Sequence, residues 1–151
     1  MPDQIYNNPL VAKLINKVMQ DGKKTLAQRI VYGAFNKIKD ETHNNPLTVF
    51  EQAIKEISPK AEVRPRRVGG ATYMVPLEVR GERKQALAIH WLVEAARNKS
   101  AKDHLDAKLV AAAKLASEVI AAAKGEGIAV TKKEQIEKQA EANRAFAHFR
   151  W

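Results

Sequence analysis

Apolar residues recur at helical spacing along nearly the whole chain, and one segment breaks the pattern. Leu10, Leu14 and Val18, flanked by Val11, Ile15 and Met19, form the first stripe. Asn8-Pro9 opens it with a cap and a proline in the first turn, where a missing N–H costs nothing, and Asp21-Gly22 stops it. Ile30, Val31, Ala34, Phe35 and Ile38 form the second stripe behind a Thr25/Gln28 capping box. The polar run Asp40 to Asn45 reads as a loop. Asn45-Pro46 then starts a third helix, with Leu47, Phe50, Ile54 and Ile57 inward, and Pro59 ends it. A fourth helix, from about Arg83 to Asn98, is apolar on most sides and so is expected at the centre. Ser100 and Asp103 open a fifth, carrying Leu105, Leu109, Ala112, Ala116 and Ile120, and Gly125 and Gly127 end it. Thr131 and Glu134 box a sixth, carrying Ile136, Ala140, Asn143 and Ala147.

The exception is Lys60 to Lys84. Its second limb alternates, with Tyr73, Val75, Leu77 and Val79 on one side and Thr72, Met74, Pro76 and Glu78 on the other. This predicts a β-hairpin at about 61–80. A two-residue Gly69-Gly70 turn would set Arg66 opposite Tyr73 and Glu62 opposite Leu77, mixing polar with apolar side chains. A three-residue loop, Gly69 to Ala71, sets Arg67 against Tyr73, Pro65 against Val75, Val63 against Leu77 and Ala61 against Val79. One apolar face then forms, at the cost of Glu62 facing Glu78, and this register is the expected one. Pro65 and Pro76 cannot donate ladder hydrogen bonds, so no larger sheet is expected. The predicted fold is mainly α: a single domain over 1–151, a bundle of about six helices with one protruding two-stranded hairpin between helices three and four. A lone ribbon is marginal in water, so its base must lean on helices and its tip awaits a partner.

Charge says what kind of partner. The 151 residues carry a formal net charge of +9 and a pI near 9.8, which points to a polyanion. The absence of cysteine excludes disulfides and thiolate chemistry and suits a reducing compartment. No run reaches membrane-spanning length, and Met1-Pro2-Asp3 begins neither a signal nor a transit peptide, so a cytoplasmic protein is expected.

Catalytic readings fail one by one. Gly22-Lys23-Lys24-Thr25 resembles the end of a phosphate-binding loop, but the motif's first glycine would fall at Lys17, inside a helix, with no strand before it. His43, His90, His104 and His148 lack ligand spacing, and His90 reads as a core histidine of an apolar helix. Ser58, Ser100 and Ser117 form no nucleophile constellation. Neither an enzyme nor a metal or cofactor site is expected. The concentrated feature is instead Arg64, Arg66, Arg67, Arg80, Arg83 and Lys84 around the hairpin turn beside Tyr73. Arginine's planar fork suits phosphate. At the C-terminus, Phe149 and Trp151 either tuck into the core or, beside Arg150, stack on bases; the residues leave both open.

Five stretches carry a family pattern: Asp21-Gly22-Lys23-Lys24; Arg66-Arg67-Val68-Gly69-Gly70 with Tyr73 and Val75-Pro76; Ala86-Leu87 with Trp91 and Val93-Glu94-Ala95-Ala96-Arg97; Ala129-Val130 with Lys132-Lys133; and Ala140-Glu141-Ala142-Asn143 with Ala145-Phe146-Ala147-His148 and Arg150-Trp151. Together they resemble small-subunit ribosomal protein seven in its bacterial or organellar form. The resemblance implies a six-helix bundle with a protruding hairpin that binds small-subunit (16S-type) rRNA as a primary binder. It implies organisation of the 3′ major (head) domain, a place near exit-site tRNA and mRNA, small-subunit proteins nine and eleven as neighbours, and in some bacteria repression of the family's own message. No homo-oligomer and no membrane partner are implied. Carried over by motif, the RNA contacts are Lys23, Lys24, Arg64, Arg66, Arg67, Tyr73, Arg80, Arg83, Lys84, Lys132 and Lys133, with Arg150 and Trp151 as further candidates for RNA or partner contact. Gly81-Glu82-Arg83-Lys84 is less basic than the family pattern, and the chain opens Met1-Pro2-Asp3 where the family opens with a basic arm. The alternative reading of the same basic bundle is an architectural DNA-binding protein whose ribbon enters a groove. A binder of acidic lipid surfaces would need a basic amphipathic helix that the chain lacks.

Overall fold

Asparagine side chains open two helices, as their positions predict. The Asn8 carboxamide oxygen accepts from the Leu10 and Val11 amides at 2.8 and 3.3 Å and starts α1 (Pro9–Val18). Asn45 accepts from Leu47 at 2.9 Å and starts α3 (Pro46–Ile57). Between them runs α2 (Lys24–Thr42), followed after α3 by the strands β1 (Ala61–Val68) and β2 (Ala71–Glu78). Next come α4 (Gly81–Asn98), α5 (Ala107–Ala123), α6 (Ile128–Ala142) and a short 3₁₀ helix, Arg144–Phe149. This computed structural model describes residues 5–98 and 107–149. Met1-Pro2-Asp3, the expected Ser100/Asp103 helix start, His104, Leu105, Arg150 and Trp151 lie outside them, as does the side chain of Leu109.

Both predicted capping boxes are absent. Lys23 holds the α2 cap position without a side-chain cap bond, and Thr25 already lies within the helix. α6 begins three residues ahead of Thr131, whose hydroxyl donates back to the Gly127 carbonyl at 3.0 Å. α2 also runs to Thr42, into the expected loop, and ends at His43 with φ +58°.

One hydrophobic cluster takes residues from α1 through α6, with Phe35 and Phe50 5.4 Å apart at the ring centroids. α4 buries Ala88, Ile89, Trp91, Leu92, Val93, Ala95 and Ala96, as its composition predicts. It shares the centre with α5, which packs on α2, α3, α4 and α6. Alanine allows that: a Cβ placed on Gly33 of α2 would stand 3.4 Å from the Ala112 Cβ, so the two helices meet with little between them.

The hairpin register is the one the sequence reading rejected. β1 and β2 are antiparallel with Val68 opposite Ala71, Arg66 opposite Tyr73, Arg64 opposite Val75 and Glu62 opposite Leu77. The turn is therefore Gly69-Gly70 alone, with φ +59° and +84°. Positive φ at both central residues matches the right-handed twist of paired strands, and glycine reaches it without a Cβ penalty. Turn stereochemistry thus outweighs the tidier apolar face. The strands form a two-stranded sheet with no third partner among the described residues.

Candidate nucleic-acid interface

The hairpin divides into an anchored base and an exposed tip. β1 packs along α6, and β2 packs against the 3₁₀ helix. At the tip Arg67, Gly69, Gly70, Ala71 and Thr72 are exposed. Arg67 makes no ion pair among the described residues, so its guanidinium is presented to solvent. Arg66 points the other way, is half-buried, and donates from Nη1 to the Phe149 carbonyl.

Arg66 is joined there by an aromatic cluster. Tyr73 lies 5.1 Å from Phe146 and 4.8 Å from Phe149 at the ring centroids. Phe149 also meets His148 at 4.0 Å. Of the two open readings of the tail, Phe149 tucks in, against the hairpin rather than the main core. Tyr73 is a docking residue for the 3₁₀ helix, packed against both Phe146 and Phe149.

At the base Glu62 accepts from Arg83 Nε at 2.5 Å and Nη2 at 2.9 Å, the two-pronged geometry that suits guanidinium and carboxylate. Arg64 Nη2 approaches the same Oε1 at 3.4 Å. The Glu62 side chain is 12 % exposed, against 46 % for Arg83. The Arg83 hydrogen bond, opposed by partial burial and helped by the charges of Arg83 and Arg64, holds the Glu62 carboxyl below its ordinary range. A carboxyl that titrates lower when folded than when unfolded stabilises the fold fully above the ordinary range, and that contribution disappears as pH falls through the lowered value. Wild-type β1–β2 amide resonances are accordingly expected to shift on acidification below the ordinary glutamate range. In Glu62→Gln this step should vanish, and an unchanged acid step in the variant would show that another group anchors the base.

α6 brings its basic turn to the same place. Glu137 accepts from the Lys60 amide at 3.2 Å and pairs with Lys133 at 3.6 Å, tying α6 to the start of β1. Lys132 is exposed and makes no ion pair among the described residues. The turn is set by Glu118 of α5, a residue that the sequence reading passed over. Its side chain is buried (1 % exposed), and its carboxylate accepts from the Ala129 amide at 3.2 Å. A carboxylate at a helix N-terminus satisfies an orphan donor and complements the dipole. The signal was legible: Glu118 shares a helical stripe with Leu115, Val119 and Ala122, where a lone acid needs a donor.

Lys23 and Lys24 are exposed at a separate place, in an open groove with Arg29 at the start of α2. They follow the end of α1, whose Lys17 and Val18 carbonyls accept from Arg97 in the last turn of α4 at 3.2 and 3.3 Å. The hairpin rises from the other end of α4, about 26 Å away at 1.5 Å per residue. Arg80 is exposed and Lys84 half-buried beside the hairpin base. The structure therefore gathers Arg64, Arg66, Arg67, Tyr73, Arg80, Arg83, Lys84, Lys132 and Lys133 on or beside the hairpin and leaves Lys23 and Lys24 apart.

The expected core histidine is not in the core. His90 is 48 % exposed and pairs with Glu94 one turn later at 3.3 Å, on the solvent stripe of α4. Among the described residues no cluster of His, Cys, Asp or Glu is arranged to hold a metal ion. No described helix is long and apolar enough to cross a membrane.

Residues 1–144 match the family model described as ribosomal protein S7p/S5e. The chain is similar to the small ribosomal subunit protein uS7 of Thermoanaerobacter sp. strain X514, with 56 % identity over 151 residues, covering 100 % of this chain and 92 % of the relative. It is also similar to uS7 of Thermotoga neapolitana, 56 % identical over 150 residues, which covers 99 % of this chain and 92 % of that protein. For uS7 of Carboxydothermus hydrogenoformans the figures are 54 % over 151 residues, 100 % and 92 %.

Proposed function

The chain belongs to the S7p/S5e family of ribosomal proteins, and from that premise we propose that it is a structural constituent of the small ribosomal subunit that binds small-subunit rRNA directly. The observation that carries the RNA reading is the exposed Arg67 at the hairpin tip, combined with the exposed Lys132 on the helix against which that hairpin leans. One rigid body then offers two positive features at a fixed spacing to a folded polyanion. Lys23 and Lys24 offer a third, near the far end of α4. Phosphate neutralisation supplies affinity through counterion release, and the fixed spacing selects RNA shape.

In this reading residues 1–151 act as a single RNA-binding domain that organises the 3′ major (head) domain. The hairpin lies near exit-site tRNA and mRNA, and small-subunit proteins nine and eleven are the neighbours. The protein works in the cytoplasm as part of the ribosome, with self-repression of its message as a secondary activity. It carries out no reaction. The RNA contacts are drawn from Lys23, Lys24, Arg66, Arg67, Arg80, Lys84 and Lys132, with Arg150 and Trp151 as further candidates for RNA or partner contact. Arg64, Arg83 and Lys133, held by Glu62 and Glu137, and Tyr73, covered by Phe146 and Phe149, shape the surface beside them. Competition tests the reading. A 3′-major-domain rRNA fragment should displace a labelled copy of itself at far lower concentration than duplex DNA does, and equal displacement would favour the architectural DNA-binding alternative.

Within the ribbon, Arg67 is the clean probe. Arg67→Ala is expected to weaken rRNA binding about five- to tenfold and to shallow the log–log salt slope by about one, as for a single lost phosphate contact. Its melting temperature should stay within about 2 °C of wild type, because an exposed charge contributes little to stability. Arg66→Ala should lower both affinity and melting temperature, since Arg66 also holds Phe149. If Arg67→Ala left affinity and slope unchanged, the tip would not be a contact.

A further inference from the structure

Three basic side chains of the candidate interface are already engaged by two of the protein's own carboxylates, which offset two of the three charges. Glu62 holds Arg83 with two hydrogen bonds and Arg64 with one, and Glu137 holds Lys133. Arg67, Arg80 and Lys132 carry no ion pair among the described residues. The charge offered to a polyanion is therefore not spread along the ribbon. It is reduced beside Glu62 and Glu137 and left whole on Arg67 at the tip, Arg80 beside the base and Lys132 on the α6 turn.

We propose that Glu62 is a specificity-determining residue of the hairpin: its carboxylate offsets one of the two guanidinium charges it holds, on Arg83 and Arg64, so that tight binding requires an RNA shaped to reach the unpaired charges at the tip, beside the base and on the α6 turn together. This rests on the RNA-binding reading above. Any polyanion neutralises an open arginine cluster, whatever its shape, because counterion release carries no shape information. Closing part of the cluster with a carboxylate penalises generic polyanions, which must displace Glu62 or leave Arg83 and Arg64 unused. An RNA that matches the remaining charges loses nothing. The geometry favours Glu62 over a flexible surface glutamate, because it is fixed in β1, mostly buried, and gripped from both a strand and a helix. The lowered titration of its carboxyl agrees with a group that stays charged at neutral pH.

The test measures binding of wild-type protein, Glu62→Gln and Glu62→Asp to a 3′-major-domain rRNA fragment and to poly(U), over a range of salt. Glu62→Gln is expected to bind poly(U) about five- to tenfold tighter, with the log–log salt slope steeper by about 0.7 for the one positive charge uncovered. Its affinity for the rRNA fragment should change by less than about twofold, so the specificity ratio falls. Glu62→Asp, which keeps a carboxylate, should restore most of the wild-type ratio, an outcome that a purely structural role for the side chain would not produce. Unchanged poly(U) binding by Glu62→Gln overturns the proposal. Should Glu62→Gln lose the hairpin, the charge-conserving pair Glu62→Gln/Arg83→Gln decides. Poly(U) affinity and slope within about twofold of wild type would support a neutralised Arg83, and a slope shallower by about 0.7 would show that Arg83 already bound phosphate. A wild type with no preference for the rRNA fragment over poly(U) would sink the RNA reading itself, a result distinct from either outcome for Glu62.

Discussion

Between 50 and 200 mM monovalent salt, the affinity of this chain for a 3′-major-domain rRNA fragment is expected to fall by about three orders of magnitude. The figure follows from the charges left without an ion pair among the described residues: Lys23, Lys24, Arg67, Arg80, Lys84 and Lys132. If each neutralises one phosphate, about six contacts give a log–log slope between about −4 and −5.5, depending on the share of single-stranded RNA. Lys23–Lys24 and the hairpin lie near opposite ends of α4, so only a folded RNA spanning that distance reaches the full slope. A short single strand should show roughly half. Filter binding or fluorescence anisotropy across salt gives the slope directly. A slope shallower than about −2 on the rRNA fragment would mean that these charges are merely solvated.

Replacing Gly127 by alanine is expected to destabilise the fold by about 3 kcal/mol and to lower the melting temperature by roughly 6–12 °C. Gly127 sits at φ +95°, ψ 176°, a region that side-chain-bearing residues avoid, where strain alone costs about 1–3 kcal/mol. An added Cβ would also stand 2.9 Å from Glu118 Oε1 and 3.2 Å from the Ala121 Cβ. The first contact pushes on the carboxylate that caps α6, so strain and cap loss arrive together. Glu118→Ala isolates the second part: it strands the Ala129 amide and opens a cavity, for about 2–3 kcal/mol. The two costs should add only in part, because the clash and the Glu118 truncation act on one hydrogen bond while the backbone strain remains. Calorimetry of the two single variants and the double variant measures this. A melting temperature for Gly127→Ala within about 2 °C of wild type would show that the α5–α6 junction relaxes freely.

The helix-ending signal just before that junction was legible in the chain. α5 closes with the Gly125 amide donating to the Ala122 carbonyl and the Glu126 amide to the Ala121 carbonyl, both at 2.9 Å, a glycine-centred helix stop. The start of α6 is not legible in its own residues, because its cap comes from a glutamate in the preceding helix, whose need for a donor shows in the sequence but whose partner does not. A capping box is a local pattern. Glu118 is eleven residues from the amide it satisfies. The same limit explains Thr25, which has the right spacing for a cap but falls inside α2.

The candidate site divides along the same line. Local sequence is enough to place Arg67 at the tip of a glycine turn. It cannot tell that Arg66, next to it, turns inward to the Phe149 carbonyl, or that Tyr73 is covered by Phe146 and Phe149. These partners lie more than seventy residues away in the chain, and the 3₁₀ helix that delivers them has no strong pattern of its own.

What the amino-acid order determined by itself is the succession of helices, the hairpin between the third and fourth, and the excess of positive charge. Each follows from periodicity, caps and composition that act within a few residues. Which strand register wins, which guanidiniums remain open and where α6 begins were decided only in the folded chain. There Gly69 and Gly70 satisfy the strand twist, Glu62 meets Arg83, and Glu118 meets the Ala129 amide. Mixing Glu62 and Arg66 into an apolar face is costly in an isolated ribbon, and the packed structure removes that cost by giving each of them a polar partner.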